Sequence, residues 1–342
     1  MLQVIRIFCV GVILAACTAI DQPSAPEPSG PPPIIILDTD FGGDADDLGA
    51  VAMLHYYMDR GDLDVAAIVS WSNEAYAVRG LAAVNQFYGR PGLRLGVRET
   101  AVTRTEWSYS KAIVDAFPFD QDAVDRTEPA VAIYRDILAN AAPNSITIVT
   151  VGPLANIQNL LNSGPDEHSP LTGADLVAAK VDRFIIMGGQ FPSGITAHGP
   201  EWNFSGNMPG VTKEVLETIT RPIVFSGYEV GDAVRYGTAL NEHPVETPLY
   251  VGYKYYSEHA PWMKRWYEGE ILNNASFDQT AVMAAVWGDD ETFWTFSAPG
   301  TLSTDEAGIA TWTEDPDGQH RYLILTEAID ATVAEIAAAM TH

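Results

Sequence analysis

Five carboxylates fall within ten residues, Asp38-Thr39-Asp40-Phe41-Gly42-Gly43-Asp44-Ala45-Asp46-Asp47. Like charges this close repel and raise one another's pKa values. A bound divalent cation removes that cost, and an all-oxygen ligand set selects a hard ion, Ca2+ or Mg2+, over zinc. The glycines let the backbone turn tightly. Asp46 and Asp47 stand where a helix can begin, and a helix amino end favours anions. The plainer reading is a solvated acidic loop with an Asp cap. Against it, the cluster directly follows an apolar, β-branched run, 34–37, of the kind that forms a strand buried on both faces.

That run is the first of several. Others are 65–69, 146–151, 184–187, 222–225 and 322–325, and between them lie segments with helical spacing. Leu48, Val51, Ala52 and His55 share one helical face, as do Val78, Leu81, Ala82, Asn85 and Gln86; 131–138 and 282–286 continue the pattern. Strands alternating with helices predict an α/β domain with an open, mainly parallel sheet, Rossmann-like, covered by helices on both faces. With no internal repeat and no second linker, residues 34–342 form one domain. In such sheets ligands sit at the carboxyl ends of the strands, so polar clusters placed directly after apolar runs are the candidates for chemistry.

The formal charge of −26 over 342 residues repels phosphate backbones, which argues against a nucleic-acid partner. A neutral small molecule is not excluded. Residues 1–16 read as an export signal: Arg6, then an apolar run too short to span a bilayer, ending in Leu14-Ala15-Ala16-Cys17. That ending matches the lipobox of bacterial lipoproteins, with Cys17 lipidated and the chain tethered to a membrane; an ordinary secretory signal cut elsewhere is the alternative. Thr18, not Asp, follows the cysteine, which favours the outer membrane facing the periplasm. Residues 17–33 are Pro-rich and predict an extended tether. Cys9 lies within the signal, so the exported chain has no internal disulfide pair.

Further polar clusters follow the later runs: Ser70-Trp71-Ser72-Asn73, Val151-Gly152-Pro153-Leu154-Ala155-Asn156, Met187-Gly188-Gly189 with Glu201-Trp202-Asn203, and Ser276-Phe277-Asp278. Taken in order with residues 34–50, they resemble the inosine–uridine-preferring nucleoside hydrolase family, whose usual opening is Asp-x-Asp-x-Gly-x-Asp-Asp. Here two residues are added before the final pair, which leaves open whether Asp44 takes the role of Asp46. The resemblance implies a nucleoside-hydrolase-like fold and hydrolysis of the N-glycosidic bond of a purine or pyrimidine ribonucleoside. It implies Ca2+ held by Asp40, Asp47, Asp278 and the Val151 carbonyl, with Asp40 also the catalytic acceptor of a proton from the attacking water. Asp46, Asn73, Glu201 and Asn203 would contact the ribose, and the chain would form a homodimer or homotetramer. The base would lie among aromatics such as Trp202 and Tyr228, with Trp262 and Trp266 also available, although such residues serve equally as core. The pattern departs at Ile195, where an Asn usually precedes the Glu by six, and at Phe277, where many relatives carry a leaving-group His. His198 and His259 are conceivable replacements, although a lone His is more often structural. Two rivals stand beside this reading: a non-catalytic, calcium-dependent nucleoside- or pentose-binding lipoprotein, and a haloacid-dehalogenase-like phosphatase. The phosphatase would need a downstream Lys and a later acidic pair.

Overall fold

The computed structural model describes residues 31–100, 105–242, 247–288, 290–327 and 329–342. The export segment, Cys17 and most of the tether lie outside the described residues. Strands appear in the order β1 (Ile34–Thr39), β2 (Asp64–Ser70), β3 (Leu95–Val97), β4 (Glu128–Pro129), β5 (Ile146–Thr150), β6 (Val181–Met187) and β7 (Ile223–Ser226). A small ribbon, β8 (Arg235–Tyr236) with β9 (Asn274–Ala275), precedes β10 (Trp294–Phe296), β11 (Gly300–Thr304), β12 (Ala310–Glu314) and β13 (His320–Leu325).

The main sheet has 11 strands in the order β12-β11-β13-β7-β6-β5-β1-β2-β3-β4, with β10 added beside β13. From β4 across to β13 every pair is parallel, and β10, β11 and β12 attach antiparallel at the far edge. The chain runs outward from β1 to β4 and then returns to place β5 on the other side of β1. The carboxyl ends of β1 and β5 are therefore the topological switch point, where a sheet of this kind opens a crevice.

The expected mixed α/β sheet is present, and the reason the apolar runs are continuous is visible in β1. Ile35 and Leu37 enter the core on one face and Ile36 enters the core on the other. The short strands β3 and β4 and the antiparallel set β10–β12 carry no comparable signal. β3 has Gly96 at its centre and β4 is two residues ending in Pro129. β11 alternates buried and exposed positions built from Thr, Ser and Leu, because one of its faces is solvated.

Two helices position the site. Ala45–Arg60 begins at Asp44, whose carboxylate accepts from the Ala45 N–H, and ends at Gly61 in the left-handed conformation. Phe277–Trp287 is buried along nearly its whole length because it is enclosed between that helix and the sheet, and beyond its polar first turn it is apolar. The two pack side by side, and Gly49 permits the approach. A Cβ there would stand 2.4 Å from Gln279 Nε2 and 2.8 Å from the Tyr253 hydroxyl. Near their carboxyl ends the Tyr57 hydroxyl accepts from the Trp287 indole at 3.2 Å and donates to Glu335 of the last helix, Ile329–Met340, at 2.9 Å.

Candidate active site

A pocket of about 740 Å³ opens over the carboxyl ends of β1, β5 and β6 and the amino ends of the two paired helices. The five carboxylates of residues 38–47 are divided among different tasks. Asp38 ends up below the pocket: it is 2 % exposed, accepts from Tyr134 at 2.8 Å and from Asn156 at 3.2 Å, and does not line the cavity. Burial pushes it up to about 7 despite those two hydrogen bonds. Asp44 caps the first helix and also accepts from Tyr256 at 2.7 Å and from Asn274. Its oxygens are thus held by three protein donors, which favours a capping role.

Asp46 and Asp47 lie in the first turn of Ala45–Arg60, and Asp278 in the first turn of Phe277–Trp287. All three are buried, and one oxygen from each falls within 4.8 Å of the other two. The Thr39 hydroxyl donates to Asp47. Desolvation pushes each of the three well above the ordinary carboxylate range, and repulsion from neighbouring carboxylates, chiefly Asp44 on Asp46, Asp40 on Asp47 and Asp46 on Asp278, adds to it. Among the described residues no Lys or Arg lines the pocket to hold them ionised. An oxygen-only set at the amino ends of two helices fits a hard divalent cation.

Asp40 stands at the pocket wall with its Oδ2 accepting from the Trp202 indole at 3.3 Å. Burial pushes it up to about 7, and the indole hydrogen bond opposes the rise. Val151, directly after β5, lines the same pocket, and its N–H donates to the Asp38 carbonyl at 2.8 Å. Gly152 is required beside it, since a Cβ would sit 2.8 Å from Asp40 N and 3.1 Å from Asp40 Oδ1.

Glu201 and Asn203 also reach the pocket. Glu201 caps the short helix Trp202–Ser205 and accepts from the N–H groups of Gly189, Asn203 and Phe204 at 3.0, 2.8 and 3.1 Å. A carboxylate has about four acceptor positions, so one remains for a ligand hydroxyl. Burial pushes this carboxyl up to about 7. Asn203 donates to the Met187 carbonyl at 3.2 Å. Asn73 is not brought to the pocket: its amide donates to the Glu99 carbonyl at 3.3 Å, and its neighbours Ser72 and Glu74 line the cavity instead. Glu74 accepts from Ser110, and it escapes a sequence reading because only the turn after β2 decides which of three adjacent polar residues points inward. Tyr134, Tyr256 and Asn274 were equally invisible, each lying far along the chain from the carboxylate it holds.

The rest of the wall is aromatic. Trp107 and Trp262 meet edge to face with centroids 5.3 Å apart, and Tyr228 lies 4.9 Å from Phe277. Trp266 is not part of it. His198 lines the pocket on an exposed loop, whereas His259 stacks on Tyr255 elsewhere.

The sequence matches the model of the family described as inosine-uridine preferring nucleoside hydrolase over residues 35–330. Among solved structures, a plant nucleoside hydrolase is 18 % identical with a TM-score of 0.67, covering 91 % of this chain and 99 % of its own. An inosine-guanosine nucleoside hydrolase is 18 % identical with a TM-score of 0.66, covering 90 % and 98 %. An inosine-uridine preferring nucleoside hydrolase from Bacillus anthracis is 14 % identical with a TM-score of 0.61, covering 90 % and 99 %. A search of curated protein sequences finds no match.

Proposed function

The chain belongs to the inosine-uridine preferring nucleoside hydrolase family, and from that premise we propose that it hydrolyses the N-glycosidic bond of ribonucleosides with Ca2+ in its pocket. The observation that carries the reading is the meeting of Asp46, Asp47 and Asp278 beside Asp40 at the β1–β5 switch point. Asp47 and Asp278 would hold the cation, with Asp40, Asp46 and the Val151 carbonyl as the remaining oxygen donors of the pocket. When bound, such an ion lowers the pKa of a water and orients vicinal hydroxyls.

Asp40 accepts the proton of the attacking water. Its Oδ2 is engaged by Trp202, leaving Oδ1 for the proton. Glu201 and Asn203 hold the sugar as positive charge develops at the anomeric carbon in an oxocarbenium-like transition state. Contacts that strengthen at that point raise the rate. The lipobox ending at Cys17 supports an exported, lipid-anchored enzyme facing the periplasm.

The test is reducing-sugar release from purine, pyrimidine and pyridine ribosides in Ca2+, beside calorimetric binding. Turnover that disappears in Asp40→Asn while nucleoside binding persists supports the reading. Binding without turnover by the unaltered chain across the panel would overturn it in favour of a calcium-dependent binder, the alternative that Phe277 motivates.

A further inference from the structure

The pocket offers a neutral nucleoside little leaving-group help, its one described imidazole being His198 on an exposed loop, and has what a cationic one asks. Breaking the C–N bond sends the bonding pair to the base nitrogen, so a neutral base departs as an anion unless an acid protonates it. The helix turn that delivers Asp278 presents Phe277 beside it, and Phe277 packs ring to ring against Tyr228, centroids 4.9 Å apart. On the rest of the wall, Trp107 pairs with Trp262 and Trp202 adds further ring surface, whereas the Trp71 ring already has the Arg98 guanidinium 5.0 Å from its centroid. Aromatic faces attract cations through their quadrupole, most strongly where water is excluded. Seven carboxyl groups (Asp40, Asp44, Asp46, Asp47, Glu74, Glu201 and Asp278) line the cavity, and no lining residue described is Lys or Arg.

We propose that the preferred substrates are ribosides of a cationic heterocycle, N-ribosyl pyridinium or N-alkylated purinium compounds; the inference rests on the hydrolase reading above. The chemistry balances without an acid. The C–N pair neutralises the ring cation, the base leaves neutral, water oxygen bonds to the anomeric carbon, and Asp40 takes its proton. A wall that is acidic and aromatic, with no Lys or Arg among its described lining residues, also disfavours substrates bearing phosphate, so nucleosides are selected over nucleotides.

Two measurements test this on the Ca2+-loaded chain. In turnover, nicotinamide riboside is expected to exceed inosine and uridine at least tenfold in kcat/KM, with Phe277→His narrowing the ratio. In calorimetry, which is blind to intrinsic reactivity, 1-methylnicotinamide is expected to bind at least tenfold more tightly than uncharged nicotinamide. Equal affinities overturn the proposal. So does inosine or uridine turnover within threefold of the cation's, especially if His198→Asn removes it and identifies that loop histidine as the acid. Cleavage confined to neutral nucleosides overturns this inference alone, whereas no turnover of either class removes the hydrolase reading with it.

Discussion

Arg135 and the Asp46–Asp47–Asp278 triad are both buried ionisable groups, on helices that pack against opposite faces of the sheet. Arg135 is 1 % exposed and donates five hydrogen bonds: two to Asp166 at 2.7 and 2.8 Å, and others to the Ser163 hydroxyl and the Ser169 and Leu171 carbonyls. The guanidinium in turn pulls Asp166 down to about 2. The triad has the reverse arrangement. Three carboxyls face one another with no Lys or Arg among the described residues lining their pocket, and burial first, then neighbouring carboxylates, pushes them up. A charge satisfied internally fastens a loop, whereas a charge left uncompensated is a place kept for a ligand.

The largest effect expected from this contrast is on activity. Asp278→Asn should lower kcat by about 10³-fold, roughly 4 kcal/mol, and yet raise the melting temperature of the cation-free protein by about 2 °C, because one repelling charge is gone. If cation-free Asp278→Asn melts lower than the parent, the triad is structural and the contrast fails. Next, Asp166→Ala, which strands the buried guanidinium, should cost about 3 kcal/mol in denaturant unfolding and leave kcat unaltered.

Saturating Ca2+, at 100-fold over its dissociation constant, should stabilise the chain by about 2.7 kcal/mol relative to EDTA. This gain should grow with pH. In the cation-free chain the triad's folded pKa values lie above the unfolded Asp value of about 3.9, so its carboxyls bind more protons folded than unfolded. Their contribution is fully present below that value and is lost as pH rises through the folded ones, with Asp40 and Glu201 at about 7 adding to the loss. The Ca2+-minus-EDTA difference in melting temperature should therefore widen from pH 5 to pH 8, and a flat difference would mean the ion binds elsewhere. The smallest effect is expected at the rear of the helix pair, where Tyr57→Phe should cost about 1 kcal/mol by equilibrium unfolding with little change in kcat.

What the sequence disclosed follows from how local each signal is. The parallel strands buried on both faces announced themselves as unbroken apolar runs, and the carboxylates after β1 announced a cation through their mutual repulsion. Asp278 was found through a motif, since nothing about its own neighbourhood says that its helix packs beside Ala45–Arg60. Asn73 against Glu74, and Asp44 as a cap, depended on the direction of individual side chains in turns, which spacing does not encode. The partners that hold the site, Tyr134, Asn274 and Tyr256, lie 96, 230 and 212 positions along the chain from the carboxylates they serve.

The Tyr57 hydroxyl gives the helix pair a second role. The helices act as the two arms of a pair of tongs: their tips carry the acidic groups, and their pivot, between Trp287 and Glu335, is shared with the last helix of the chain. An ion that fixes the tips restrains the whole pair, and the two hydrogen bonds of the pivot tie the last helix to it. Slower amide exchange along Ile329–Met340 would therefore register an occupied pocket from the opposite end of the molecule.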